Sequence, residues 1–200
     1  MLLDKDIREP LFDFLEERHG KIRIIEEKQM GRSRADLVMV MPDAVVGIEI
    51  KSDADTYARL ARQVKDYNRY FDYNFAVVGS THALHIKEHV PDWWGIITVE
   101  EIGAEIDFYE LRDARKNPQI DHAKKLGLLW RPELSHIQEI NGMPKYKEKS
   151  KLFVIRKILE TVPQELLAPQ ISEELFERDY TEIAGTIQEY RRKKRPSVKR

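Results

Sequence analysis

Two apolar, β-branched runs, 35–41 and 44–51, constrain the fold of this chain more than any other feature, and the pair Pro42-Asp43 separates them. Runs of this kind predict two strands, and the short break between them predicts a hairpin. Both runs also contain ionisable residues, Asp36 in the first and Glu49 with Lys51 in the second. Because charges inside so apolar a strand are costly without partners, we expect these side chains to interact.

Hairpin geometry predicts how these three side chains are arranged. Residues alternate between the faces of a strand, so Glu49 and Lys51 share one face. Asp36 and Glu49 are equally far from the centre of the turn and should lie nearly opposite each other. Two carboxylates held together raise each other's pKa unless a cation lies between them. Oxygen ligands of this type suit Mg²⁺ or Mn²⁺. Such a metal and Lys51 together could activate water against a phosphodiester.

The rest of the chain predicts an α/β fold, a mixed sheet flanked by helices with a helical C-terminal region. Helical spacing and glycine or proline breaks indicate helices on both sides of the hairpin, and short apolar runs indicate further strands. Asp53 or Asp55 is the expected N-cap of the helix that follows the hairpin. The predicted helices are 4–19, 52–71 and 81–89, the predicted strands are 21–27, 75–79, 94–99 and 106–111, and the chain is helical from 121 onward.

Polar residues that flank the hairpin extend the candidate site. On the helix after the hairpin, Gln63 and Tyr67 are one turn apart, and Arg59 lies one turn before them. Arg32 and Arg34 lie in the turn that leads into the first strand of the hairpin. These arginines are candidates to hold phosphates of a nucleic-acid backbone.

The sequence resembles the PD-(D/E)XK nuclease superfamily, in particular its RecB-like and small bacterial or phage branches. The resemblance rests on Gly31-Arg32-Ser33-Arg34-Ala35-Asp36, then Glu49-Ile50-Lys51, then Gln63-x-x-x-Tyr67. It implies a restriction-endonuclease-like core with the element order α-β-β-β-α-β. It also implies that the protein hydrolyses phosphodiester bonds with the help of Mg²⁺ or Mn²⁺, and that its substrate is DNA in preference to RNA. It further implies that the metal ligands are Asp36, Glu49 and the Ile50 carbonyl, that Lys51 is the catalytic amine, and that Gln63 and Tyr67 assist.

The resemblance covers residues 1–112, which are the expected nuclease core. Residues 113–190 form the predicted helical region, and residues 191–200 form a basic tail expected to lack fixed structure. Ala35 stands where the family has a proline, at a position without a chemical role. The family often adds an acid from its first helix, and here Asp4 and Arg8 are weak candidates at the margin of that helix.

Two other functions stay open at this point. A nuclease fold can bind DNA without cutting it, and fold alone does not separate the two activities. The pattern His85-Ile-Lys-Glu88-His89 matches that of inverted zinc peptidases, in which one helical turn presents two imidazoles to Zn²⁺. It is a weaker candidate, because Pro91 soon follows and no later helix offers an obvious third ligand.

The composition indicates the cellular compartment in which we expect the protein to work. The chain has no cysteine, which excludes disulfides and thiolate sites and fits a reducing compartment. No apolar leader or membrane-length run is present, so we expect a cytoplasmic protein without a membrane partner. The sequence does not decide the oligomeric state, and a homodimer is compatible with it.

Charge is distributed unevenly along the chain. Seven of the 34 basic residues lie in 191–200, which leaves 27 basic against 35 acidic residues elsewhere. A basic tail on an acidic body is typical of polyanion binding, and it is also found as a solvated terminus that only aids solubility. The candidate contacts to nucleic acid in this tail are Arg191, Arg192, Lys193, Lys194 and Arg195.

We predict that deleting residues 191–200 weakens DNA binding at low salt and flattens the plot of log affinity against log salt concentration. The reason is that each cation that neutralises a phosphate releases counterions, which adds a salt-dependent contribution to affinity. Fluorescence anisotropy with a labelled duplex measures both effects. If the slope stays the same, the tail serves solubility instead.

Overall fold

The computed structural model describes residues 2–103 and 105–178. Seven helices and six strands make up this part of the chain, together with two short 3₁₀ turns. The elements in chain order are α1 (Asp4–His19), β1 (Arg23–Met30), β2 (Ser33–Val40), β3 (Val45–Lys51), α2 (Leu60–Tyr70), β4 (Tyr73–Gly79), α3 (Ser80–Ala83), β5 (Gly95–Ile102), β6 (Glu105–Arg112), α4 (His122–Gly127), α5 (Arg131–Ile140), α6 (Lys151–Thr161) and α7 (Gln164–Glu177).

The six strands form one sheet in which their spatial order follows their order in the chain. Strands β1, β2 and β3 are antiparallel neighbours, β3, β4 and β5 run parallel, and β6 returns antiparallel to β5. The expected mixed sheet with flanking helices and a helical C-terminal region is therefore confirmed.

Helices cover both faces of the sheet. On one face α1 buries Ile7, Leu11 and Leu15 completely against the odd-numbered residues of β2 and the even-numbered residues of β3. On the other face α2 and the helices α4 to α7 share a continuous core with the sheet. The C-terminal helices thus complete the second layer over the strands. No helix in the described ranges is long and apolar enough to span a membrane.

The hairpin between β2 and β3 has the predicted register. Leu37 pairs with Ile48, and Val40 pairs with Val45 next to the turn. Continuing the same register by one residue places Asp36 across from Glu49. The two carboxylates therefore meet at the end of the hairpin away from its turn.

The expected single helix after the hairpin is wrong in its first part. Helix α2 begins only at Leu60, and neither Asp53 nor Asp55 caps it. Asp55 instead accepts hydrogen bonds from the amide and the hydroxyl of Ser52, at 2.9 and 2.7 Å. Asp53 accepts one from Thr81 at 2.7 Å. Short acidic side chains bond readily to nearby polar groups, and here they hold a loop.

The expected helix 81–89 is also wrong. The segment forms the four-residue α3 and then a 3₁₀ turn over Ile86–Glu88. Ile86 is its fully buried residue, whereas Leu84 is 76% exposed. With so little apolar surface to bury, the segment gains nothing from one continuous helix, since packing supplies most helical stability.

A buried ion pair ties α4 to the start of β3. Lys125 Nζ lies 2.6 Å from Asp72 Oδ2, and their side chains are 2% and 11% exposed. The same carboxylate accepts the amide of Val45 at 2.8 Å. Asp72 therefore links the C-terminal helices, α2 and the hairpin in one contact.

We expect Asp72→Ala to lower the free energy of unfolding by about 3–5 kcal/mol, because removing one partner leaves the other charge buried and unpaired. Urea unfolding followed by circular dichroism measures this loss. The matched control is Asp92→Ala, whose side chain is 89% exposed and 4.0 Å from Arg112. It should change stability by less than about 1 kcal/mol. Equal losses in the two variants would contradict a buried role for Asp72.

Candidate functional site

The candidate site begins where β2 and β3 separate. Asp36 lies just beyond the last paired residue, Leu37. Its carboxylate oxygen Oδ2 accepts the backbone amide of Ile50 at 2.8 Å. The Asp36 side chain thereby replaces a missing backbone partner at the end of β3 and is fixed next to Glu49.

Side-chain alternation is interrupted at Asp36. Ala35 and Val38 both belong to the core on the α2 side, although regular alternation would place them on opposite faces. Leu37 lies in the other core. On β1, the position facing Asp36 is occupied by Glu27, whose φ of 53° is the one positive value among the described residues other than glycine. Irregular backbone of this type concentrates at functional sites.

Glu49 and Lys51 lie on the same face of β3, as predicted. Glu49 is fully buried and Lys51 is 7% exposed. Lys51 Nζ donates to Glu49 Oε1 at 2.6 Å. Parallel pairing with β4 holds both residues in place, since Glu49 pairs with Ala76 and Lys51 with Val78.

Helix α2 contributes two further polar groups to this cluster. Gln63 donates through Nε2 to Glu49 Oε1, and its Oε1 lies 3.4 Å from Lys51 Nζ. The hydroxyl of Tyr67 accepts the amide of Asp36 at 3.2 Å. It also lies 2.9 Å from Glu49 Oε2 and 2.9 Å from the Ile48 carbonyl oxygen, and its single proton can be donated to either of them.

The structure therefore brings together all five residues that the sequence assigns to catalysis. We call Asp36, Glu49, Lys51, Gln63 and Tyr67 the acidic cluster.

Gly47 permits this close approach of α2 to β3. A Cβ atom at Gly47 would lie 2.6 Å from Tyr67 Cδ1 and 2.3 Å from Phe71 Cδ2. Any larger residue would push α2 away from the strand. The distance from Tyr67 to Glu49 therefore depends on a glycine two residues earlier in β3.

Arg8 connects α1 to the acidic cluster. Its guanidinium donates to the backbone carbonyl of Asp36 at 3.3 Å and to the carboxylates of Asp4, Glu27 and Glu26 at 2.6, 2.9 and 3.2 Å. The sequence suggested Asp4 and Arg8 only as weak candidates, and the structure places Arg8 in direct contact with the site. It gave no sign of Glu26 and Glu27, because their role depends on the pairing of β1 with β2.

The other predicted phosphate contacts are less closely associated with the cluster. Arg34 is exposed and its Nε lies 2.5 Å from Glu27 Oε2. Arg32 in the β1–β2 turn and Arg59 at the start of α2 are both exposed. The five basic residues predicted at 191–195 lie outside the described residues.

The histidine pattern does not form the helical zinc site that the sequence left open as an alternative. His85 and His89 flank a single 3₁₀ turn instead of lying on one face of a helix. The ring of His89 packs against that of Tyr57, with centroids 4.0 Å apart. In the described part of the chain no three His, Cys, Asp or Glu side chains come together as a metal-binding group.

Comparison with known proteins assigns a family. The profile of the family described as bacteriophage P4 protein cII matches residues 2–195, which is nearly the whole chain. The chain belongs to this family. No curated protein matches it.

Among solved structures, this cII-family chain is similar to SfsA of Pyrococcus furiosus in complex with Ca²⁺, with 15% sequence identity and a TM-score of 0.36. The match covers 56% of this chain and 63% of SfsA. The chain thus spans less than two thirds of the length of SfsA.

Electrostatics distinguish the two carboxylates of this cII-family site from an ordinary ion pair. Burial and then the charge of Glu49 raise the pKa of Asp36 from its usual 3.8 to about 7, although the Ile50 amide and Lys51 act against this. Burial is also the main reason why the pKa of Tyr67 lies well above its usual value. The cluster holds more negative charge than Lys51 alone offsets, so an additional cation would stabilise it.

The donor set fits a hard divalent cation. Two carboxylates, Asp36 and Glu49, and the backbone carbonyl of Ile50 are all oxygen ligands, as Mg²⁺ and Mn²⁺ prefer. Two side-chain ligands are few for zinc or calcium, but Mg²⁺ normally retains several waters and needs few protein ligands.

We predict that Asp36→Asn stabilises the metal-free protein at pH 8. A carboxyl whose pKa is higher in the folded than in the unfolded chain costs stability as pH rises from about 4 to about 7, because the folded state releases its proton less readily. Each pKa unit corresponds to about 1.4 kcal/mol, so the gain at pH 8 is about 2–4 kcal/mol, with little gain near pH 4.

Thermal unfolding in EDTA at both pH values measures this gain. The control is Asp107→Asn on β6, where the side chain is exposed, and it should leave the pH dependence unchanged. A lower stability of Asp36→Asn at pH 8 would mean that Asp36 serves the fold and not a cation.

Proposed function

We propose that this protein is a divalent-metal-dependent nuclease of the PD-(D/E)XK type that hydrolyses phosphodiester bonds, in DNA more than in RNA. The observation that carries the proposal is the pairing of Asp36 with the buried Glu49 beside Lys51, with a pKa of about 7 at Asp36. Perturbed carboxylates of this type concentrate at active sites.

The stability of the protein does not account for this arrangement. Replacing buried charges with apolar residues is often neutral or favourable, so a fold has no need to place Glu49 and Lys51 inside its sheet. Asp36 places a second carboxylate next to Glu49, and the repulsion between the two negative charges costs further free energy. A cation bound between them would remove that cost, and this is why we assign the two acids to a metal.

Each residue has a part to play in hydrolysis. Asp36, Glu49 and the Ile50 carbonyl would hold Mg²⁺ or Mn²⁺, which supplies a more acidic water and neutralises charge on the phosphate. Lys51 offers an ammonium group to orient the attacking water or to stabilise the developing anion. Gln63 forms hydrogen bonds with both Glu49 and Lys51 and so holds the Lys51 amine next to the Glu49 carboxylate.

Tyr67 fixes the separation of the two acids. Its hydroxyl joins the amide of Asp36 to Glu49 and to the Ile48 carbonyl, at the point where the hairpin strands part. A displacement of the Asp36 backbone or of the Glu49 carboxylate would break one of these bonds. In this way Tyr67 positions the acids before any ligand arrives, which is the preorganisation that catalysis requires.

A second function, DNA binding without cleavage, is supported by one feature of the site. Both oxygens of Glu49 already accept hydrogen bonds, from Lys51, Gln63 and Tyr67. Such a saturated carboxylate also suits a purely structural network. The complete set of two acids and an amine favours the nuclease, since a protein that only binds DNA has no need of it.

The decisive experiment separates metal binding from chemistry. Asp36→Asn and Glu49→Gln should lose both Mn²⁺ binding and DNA cleavage, because each removes a charged ligand. Lys51→Ala should lose cleavage and still bind Mn²⁺, with equal or higher affinity since a neighbouring positive charge is gone. DNA affinity should stay within about tenfold in all three, because phosphate contacts elsewhere supply most of it.

Calorimetric titration with Mn²⁺ and a cleavage assay on supercoiled, linear and single-stranded DNA test the same preparations, with folding checked by circular dichroism. Glu101→Gln on β5, where the side chain is exposed, is the matched control and should behave as wild type. Wild-type cleavage rates in folded Asp36→Asn and Lys51→Ala would show that the site is elsewhere. Wild type that binds DNA and metal but cuts no substrate would favour the binding function.

A further inference from the structure

A pocket beside the edge strand β1 lies outside the acidic cluster. It has a volume of about 500 Å³ and opens between β1, the end of α2, and the helices α4 and α6. Three lysines and two aromatic rings are among the residues that line it. They are Lys28, Lys124, Lys151, Tyr70 and Trp130.

Positive charge exceeds negative charge among the described residues that line this pocket. The guanidinium of Arg178 stacks at 4.1 Å from the centre of the Trp130 ring, and its side chain is fully buried. Two nitrogens of Arg178 donate to Glu133, each at 2.6 Å, so this ion pair adds no net charge. Asp121 also lines the pocket, but its carboxylate caps α4 and lies 3.7 Å from Arg69.

Lys28 is a half-buried lysine whose charge no acidic group of the described residues neutralises by direct contact. Within the described ranges it has neither a carboxylate at ion-pair distance nor a hydrogen-bond acceptor, and its ammonium lies 5.9 Å from the centre of the Trp130 ring. Burial, together with the charges of Arg178 and Lys151, lowers its pKa to about 8, even though Glu133 acts in the opposite direction. A half-buried amine facing other cations destabilises the protein unless an anion joins it.

The pocket adjoins the acidic cluster. Lys28 pairs with Ala35 across the β1–β2 ladder, and Ala35 immediately precedes Asp36. The neighbouring residue on β1, Glu27, faces Asp36 in the same register. One wall of the pocket, Lys28, therefore lies on the strand next to Asp36 and is offset from it by one residue.

We infer that this pocket binds a phosphate group of the nucleic-acid strand next to the one positioned for cleavage, which rests on the proposed function. Lys28 and Lys151 supply point charges for the phosphate oxygens, as lysines do at many phosphate sites. Tyr70 and Trp130 supply aromatic walls against which the attached sugar can pack. The pocket draws the strand towards the sheet, while the acidic cluster repels it until a metal is bound.

Chemical labelling of amines tests this directly. Limited acetylation at pH 8, read by mass spectrometry, reports the accessibility of each lysine, and the lowered pKa makes Lys28 reactive there. We expect a short DNA duplex in EDTA to reduce labelling of Lys28 and to leave the exposed Lys116 unchanged. Inorganic phosphate and a deoxynucleoside monophosphate at equal phosphate concentration should protect Lys28 much less than the duplex does.

A substitution gives a second readout. Lys28→Gln should lower the slope of log affinity against log salt by about 0.9 on a duplex, the value of one lost phosphate contact. Its melting temperature should equal or exceed that of wild type, because an unpaired charge has gone. The matched control, Lys116→Gln in the loop after β6, removes the same charge far along the sheet and should change neither.

The outcomes separate this inference from the proposed nuclease. An unprotected Lys28 together with an unchanged salt slope overturns the pocket, whether or not the protein cleaves DNA. Equal protection by the monophosphate, or by poly-glutamate, also overturns it, since the pocket would then serve a free ligand or an acidic chain. If the duplex protects Lys28 but no substrate is ever cut, the pocket stands and the nuclease proposal fails.

Discussion

The site depends on one constraint, the burial of two carboxylates in an apolar hairpin. Glu49 is fully buried and Asp36 is half-buried, so most of the polar contacts around them have to come from the protein. The Ile50 amide, Lys51 and the Tyr67 hydroxyl supply those contacts. Even so, the pKa of Asp36 lies near 7, which shows that these groups compensate the two charges only in part.

The architecture around the hairpin holds this costly arrangement in place. Helix α1 covers one face of the sheet, and its Arg8 side chain donates a hydrogen bond to the backbone carbonyl of Asp36. Helix α2 lies close against β3 because Gly47 leaves room for the rings of Tyr67 and Phe71. The C-terminal helices then lock α2 through the buried pair of Lys125 and Asp72. A rigid frame of this type is what positions functional groups accurately.

Charge is separated between two neighbouring regions of the molecule. The acidic cluster combines carboxylates at the end of the hairpin, whereas the pocket next to β1 collects lysines that have few acidic partners. Unbalanced charge in both regions costs free energy, and ligands of opposite charge would relieve it, a cation in the first region and, as we infer, a phosphate in the second. Their adjacency across Ala35 and Lys28 is the physical basis for treating them as parts of one binding surface.

Local periodicity in the sequence determined the hairpin, its register and the shared face of Glu49 and Lys51, because these follow from two-residue alternation and a short turn. The same periodicity determined the apolar stripe of α2, which carries Gln63 and Tyr67 to the strands. The tertiary structure alone decided that α2 starts at Leu60, that Arg8 reaches Asp36, and that Lys28 faces other cations. Those features arise from contacts between residues far apart in the chain, and no local pattern encodes which distant side chains will meet.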